Sequence, residues 1–163
     1  MKDEVAEREG IKTISDLRAY QMIKRDFSLS YDAEFSCRPE LQILKEAYHL
    51  DTDRSLMMEK TLAYLILNEG GVDALVAYKT DGLLSRFPLR LLEDNLNLFP
   101  PYDLAPVMRR ELIESHPEVR EVIDRLSGRL SDAVMQQLND SVERGGRDYK
   151  EVAASFLRLE KLV

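Results

Sequence analysis

A helix that stops at Gly70-Gly71 is followed at once by Val72-Asp73-Ala74-Leu75-Val76-Ala77-Tyr78, a short and mostly apolar run. Glycine supplies the left-handed conformation that commonly closes a helix, and the run after it has the continuity of a strand covered on both faces. The same alternation precedes it. Ser15-Asp16 opens an amphipathic helix carrying Leu17, Tyr20 and Met22, and Phe27, Leu29 and Tyr31 then alternate as a strand that ends at Asp32. Arg38-Pro39-Glu40 starts a second helix, with proline in the first turn and an inner face of Leu41, Leu44, Ala47 and Tyr48. A third helix runs from about Leu56 to Leu67. Strands and helices in this order predict a parallel α/β layer, the first lobe, over residues 1–85.

Downstream the punctuation changes. Pro88 and Pro100-Pro101 flank a candidate strand at Leu89 to Leu92, and the chain crosses there to a second packing unit, residues 86–163. Ala105 to Met108 reads as one more strand. The rest is helical: Arg109 to Ser115, Glu118 to Leu126, Ser131 to Glu143, and a last helix from Asp148 to about Leu162. Ser131-Asp132 supplies a cap and a first-turn acid.

At 163 residues and 44% apolar, the chain has material for one ordinary domain or two small lobes. Its most apolar stretch, Leu62 to Leu67, is cut by Asn68 and Glu69, far short of the roughly 20 residues of a membrane-spanning helix. Thirty acidic against 23 basic side chains give a net charge of −7 without a local Lys/Arg cluster. Nucleic acid is therefore not an expected partner, because phosphate-backbone affinity comes from releasing counterions around basic side chains. The single cysteine, Cys37, excludes an internal disulfide and is either a small filler or a thiol activated by Arg38. The amino terminus is charged and lacks the apolar core of a secretion signal, so a signal in an exported parent is expected to lie outside this chain.

Catalytic and metal chemistry find little footing. The glycine pairs have neither the spacing nor the Lys-Ser/Thr of a phosphate loop. His49 and His116 are far apart in sequence without a ligand pattern. Asp51-Thr52-Asp53-Arg54-Ser55 starts like a calcium loop, but Leu56 and Leu62 occupy the positions that need glycine and a bidentate glutamate. The expectation is no metal, no cofactor and no enzyme. What remains are residues at element ends: Tyr78, leading into Lys79-Thr80-Asp81-Gly82, and Tyr102 after Phe99-Pro100-Pro101. Carboxyl ends of strands are where α/β folds hold ligands, so both tyrosines are either ligand contacts or amphipathic residues at the core's edge. Arg38 either grips a ligand carboxylate through its planar fork or pairs with Glu34 or Glu40.

The order of motifs across nearly the whole chain resembles the substrate-binding proteins of ABC importers for glycine betaine, choline, carnitine and related osmoprotectants. It is carried by Gly10-Ile11-Lys12-Thr13-Ile14-Ser15-Asp16-Leu17, Asp32-Ala33-Glu34-Phe35 with Arg38, and Gly70-Gly71-Val72-Asp73 leading to Ala77-Tyr78-Lys79-Thr80-Asp81-Gly82. Phe99-Pro100-Pro101-Tyr102-Asp103-Leu104-Ala105-Pro106-Val107 and Leu126-Ser127-Gly128-Arg129-Leu130-Ser131 with Leu138-Asn139 complete it. The resemblance implies a type II periplasmic-binding-protein fold, with one complete lobe and the carboxyl-terminal return segment of the other. It also implies a quaternary ammonium ligand, delivery to an ABC permease, and an extracytoplasmic location.

By the same resemblance Tyr78 and Tyr102 match two positions of a tyrosine cage. Arg38 matches a residue that grips the ligand carboxylate, with Thr80 and Asp81 in support. A cation without hydrogen-bond donors can be held only by ring faces and apolar contact. The chain departs from the pattern in lacking the segment that builds most of one lobe, and with it the remaining cage tyrosines. Arg38 leads into Pro39-Glu40-Leu41-Gln42 without the glycines often found there, and Cys37 stands where other small or apolar residues are more usual. Carboxyl-terminal helices deprived of a sheet would expose Val119, Val122, Ile123 and Leu126, which predicts self-association or segment exchange between two copies, checked by sedimentation. The competing expectation is an interaction or scaffold module that kept the fold and lost ligand binding, with its tyrosines covered.

Overall fold

The structure is a computed structural model that describes residues 1–101 and 103–163. The described residues divide into two compact units: residues 1–79 with 83–100, and residues 80–82 with 101–163.

The first unit begins with helix α1 (Asp3–Glu9), formed by a charged run whose small apolar face, Val5 and Ala6, turns into the core. Helix α2 (Ile14–Ile23) follows. Its cap is Thr13 rather than Ser15: Thr13 Oγ1 accepts from Asp16 N at 3.1 Å while the Asp16 carboxylate accepts from Thr13 N at 2.9 Å, a reciprocal capping box. Strand β1 (Leu29–Tyr31) gives way to the short helix α3 (Ala33–Ser36) and then to α4 (Pro39–Glu46), with Pro39 in its first turn as expected. Leu56–Met57 is not the start of the third helix but strand β2, paired parallel to Ser30 and Tyr31. The helix, α5 (Lys60–Glu69), starts after Glu59, whose carboxylate accepts from Leu62 N at 3.1 Å. It closes on Gly70 at φ 80°, the left-handed conformation the sequence anticipates.

Strand β3 (Ala74–Leu75) pairs parallel to β1 and completes a sheet of order β2-β1-β3. The ladder is shorter than the apolar run Val72 to Tyr78. The residues Leu89 to Leu92 form no strand; Leu89 makes a single antiparallel bridge to Lys2. The Asp73 carboxylate pairs with Lys24 and accepts from Ser28 N at 2.9 Å, which ties the starts of β1 and β3 together. Ile11, Leu17, Phe27, Leu29, Phe35, Leu44 and Tyr48 are buried together with Ala74 of β3. Tyr64 and Leu67 of α5 are also fully buried, and the Tyr64 ring stacks on Phe87 with centroids 6.2 Å apart.

Tyr48 marks a polar node at the edge of that core. Its hydroxyl donates to Asp94 and accepts from Leu96 N at 3.1 Å, and Asp94 also accepts from Phe99 N at 2.8 Å. Burial, and then the adjacent Asp94 carboxylate, push the Tyr48 phenol up to about 12. Because the folded value lies above the unfolded one, this stabilisation is complete below pH 10 and is lost as pH rises from 10 to 12. Urea unfolding at pH 9 and near pH 12 is expected to show the protein losing about 2 kcal/mol more than Tyr48→Phe across that interval. Parallel alkaline limbs would remove the Tyr48 node as the cause. Asp94 acts at the other end of the scale: burial opposes its ionisation, but hydrogen bonds from Phe99 N and Tyr48 outweigh this and hold it below the ordinary carboxylate range. Its contribution is present above the unfolded value and lost as pH falls through the folded one.

The second unit is helical: α6 (Arg110–Ser115), α7 (Pro117–Asp124), α8 (Asp132–Glu143) and α9 (Tyr149–Leu159). Ala105 to Met108 form no strand. Ser131 and Asp148 cap α8 and α9 through their side-chain oxygens, as their positions predict. Helix α6 packs on α7 and α8 on α9, with Val152 buried. The segment Thr80–Gly82 lies on α8, where Asn139 Nδ2 donates to Thr80 O at 2.8 Å.

Candidate functional site

The carboxyl ends of β1 and β3 bring three chemically different groups together. Directly after β1, Asp32 Oδ1 accepts from Phe35 N at 2.7 Å, which fixes the single turn of α3. Phe35 is buried and its ring lies 6.1 Å from that of Tyr31, so the anchored turn holds Glu34 on the exposed side. Arg38 sits one helical turn further on, as the amino-terminal cap residue of α4. Its guanidinium pairs with Glu34 and stands 5.6 Å from the centre of the Tyr78 ring. Tyr78 arrives from the neighbouring strand, β3, and its hydroxyl donates to Glu34 Oε1 at 3.4 Å.

Two of the residues singled out in the sequence are therefore neighbours: Arg38 and Tyr78. The guanidinium–ring distance falls within the reach of a cation–π contact. Partial burial raises the Tyr78 phenol; the Arg38 charge works against that shift, and Glu34 and Asp32 add to it. The residue remains 39% exposed. Of the alternatives for Arg38, the Glu34 pairing is present, and Glu34 itself joins the cluster. The signal for Glu34 was its closeness in sequence to Arg38; the two side chains meet across the break between α3 and α4.

Thr80 and Asp81 belong to the second unit, where Thr80 O is held by Asn139 and Asp81 is buried. Tyr102 lies outside the described residues. Among the described residues no group of three His, Cys, Asp or Glu side chains could hold a metal ion. Asp51, first residue of the failed calcium pattern, is part of packing: its backbone N–H and C=O bond the Gln21 side chain at 2.8 and 2.6 Å. No helix among them is long and apolar enough to cross a membrane. A surface depression lined by Val107, Met108, Arg109, Glu111, Leu112 and Ser115 has walls from one short helix and its approach, and includes none of the clustered residues.

A family model for the substrate binding domain of the ABC-type glycine betaine transport system matches residues 1–159. The chain is 36% identical to the glycine-betaine-binding protein of Pseudomonas aeruginosa, covering 100% of itself and 55% of that protein. It is 30% identical to the ergothioneine transport permease/ergothioneine binding protein EgtU of Helicobacter pylori, over 94% of the chain and 28% of that protein. A crystal structure described as a glycine betaine/carnitine/choline ABC transporter superposes with a TM-score of 0.85 at 30% identity, covering 99% of this chain and 59% of the other.

These matches, with the parallel sheet, define a solute-receptor fold of the ABC-transporter type. The chain belongs to the family of substrate-binding domains of ABC-type glycine betaine transport systems. It spans little more than half of the Pseudomonas relative.

Proposed function

We propose that the chain is a partial version of the solute-binding component of an ABC importer for quaternary ammonium osmoprotectants of the glycine betaine, carnitine and choline type. The observation that carries this is the meeting of Arg38 and the exposed residue Tyr78 after adjacent parallel strands, in a chain of this family. Guanidinium and phenol are the two groups a methylated ammonium carboxylate calls for: a charge-assisted donor for one end, a ring quadrupole for the other. In this reading residues 1–85 are the ligand-binding lobe and residues 86–163 carry the return segment, whose described residues form no strand, and the helices of the incomplete one. Tyr102 supplies a second ring, with Thr80 and Asp81 in support. The part of the fold that relatives carry beyond the match supplies the remaining contacts.

The loaded receptor docks on an ABC permease outside the cytoplasm and performs no chemistry on its ligand. Two copies associate through the second unit, where Val122 is 59% exposed on α7. A scaffold that had abandoned ligand binding has no need of an exposed Tyr78, which weighs against that reading.

The test is calorimetric titration with glycine betaine, carnitine and choline of the chain alone, and of the chain mixed with the complementary segment of the Pseudomonas relative. Saturable binding in the mixture, weaker or lost in the chain alone, is expected. Failure of all three solutes in both samples would overturn the proposal.

A further inference from the structure

One oxygen, Glu34 Oε1, accepts from both Arg38 and the Tyr78 hydroxyl. We infer that Glu34 is a specificity-determining residue, its carboxylate occupying the place on Arg38 that a ligand carboxylate would take, and so tilting the site away from zwitterions and toward plain onium cations. The inference rests on the function proposed above and deepens it.

Exchange is physically accessible. The Glu34 side chain is 61% exposed and that of Arg38 31% exposed, and pairs in such surroundings are weakly held because water competes for both partners. An incoming carboxylate therefore displaces Glu34 at small cost, while the Glu34 side chain swings into water from a turn that Phe35 keeps anchored.

Charge gives the direction. With Glu34 present, Arg38 stands with two carboxylates, Glu34 and Asp32, acting on Tyr78, so a choline-like cation approaching it meets a favourable field. Without it the cluster carries one negative charge fewer, which favours a ligand carboxylate and disfavours a bare cation. Removing one negative charge should thus move the two ligand classes in opposite directions. A residue that merely braced α3 would weaken both alike.

The experiment titrates glycine betaine and choline into the complemented chain and its Glu34→Gln variant, which keeps size and hydrogen-bonding capacity. Betaine should bind about two- to fivefold more tightly and choline weaker by a similar factor, as expected of an exposed ion pair. In an Arg38→Gln background, Glu34→Gln should bring no gain for betaine, because the partner it competes for is gone. Equal losses for both ligands, or no change in either, would overturn the inference while leaving the proposed function standing. A gain for betaine that persists without Arg38 would also overturn it. If the unaltered protein binds neither solute, both fail together.

Discussion

Gly82→Ala is expected to disrupt the second unit, at a cost of about 3 kcal/mol or more. A Cβ at residue 82 would stand 2.5 Å from Asp140 N, 2.8 Å from Asp140 Cα and 3.0 Å from the Asn139 carbonyl carbon. All three are backbone atoms of α8, so no side-chain rotation relieves the overlap. The helix and the segment Thr80–Gly82 must separate. Overpacking in a well-filled site costs about 1–3 kcal/mol. Separation would also break the bond from Asn139 Nδ2 to Thr80 O, worth about 1 kcal/mol more. Proteolysis at a temperature where the unaltered protein resists should cut the Gly82→Ala chain within residues 101–163 first. Gly10→Ala makes a useful comparison: nothing lies within 4 Å of its Cβ position, and its cost is only that of a left-handed φ of 70°. A Gly82→Ala protein that melts no lower than Gly10→Ala would show that the close approach is absent.

Gly82 also shows where reading the sequence stopped. Features encoded by neighbours were legible: Pro39 in the first turn of α4, Gly70 closing α5, Ser131 and Asp148 as caps, and the parallel order of β1 and β3. Each needs only residues within a few positions of it. The cap of α2 was misassigned to Ser15, although Asp16 lies at the third position that completes a capping box with Thr13. Strand β2 was not legible. Leu56 and Met57 are exposed, and nothing local distinguishes them from the helix that follows; pairing with Ser30 and Tyr31 defines them. Helix α1 was hidden by its charges, because Val5 and Ala6 are its whole inward face. Gly82 depends on α8, some 58 residues away in sequence, and no pattern in the chain announces that contact.

The site divides along the same line. Tyr78 was selected at the end of a strand and Arg38 at the start of a helix, both also by family resemblance, and the structure brings guanidinium and ring centre within 5.6 Å. Glu34 entered the reading as part of the Asp32-Ala33-Glu34-Phe35 motif and as a partner for Arg38, not as a site residue. Its reach to Tyr78, 44 residues on, follows from the adjacency of β1 and β3 and could not be seen before the sheet order was known.

Tyr78 carries the second large effect. On the proposed function, Tyr78→Ala should weaken glycine betaine binding by about 100-fold in the complemented chain, whereas Tyr78→Phe should change it less than about threefold. A cation over a desolvated aromatic face is worth about 2 kcal/mol or somewhat more, and loss of the ring's apolar contact adds to this. Phenylalanine keeps the ring, its quadrupole and the stacking surface beneath Arg38. It loses only a hydroxyl whose bond to Glu34 is long, at 3.4 Å, and solvent-exposed. If the phenol acted through that hydroxyl, by bonding the ligand or by holding Glu34 in place, the phenylalanine variant would fall with alanine. Equal losses in the two variants would therefore transfer the role from the ring face to the hydroxyl. Retention of full affinity by Tyr78→Ala would move the quaternary ammonium off this residue altogether. Because Tyr78 is 39% exposed, neither substitution opens a core cavity, and a melting temperature within a few degrees of the unaltered protein separates lost binding from lost folding.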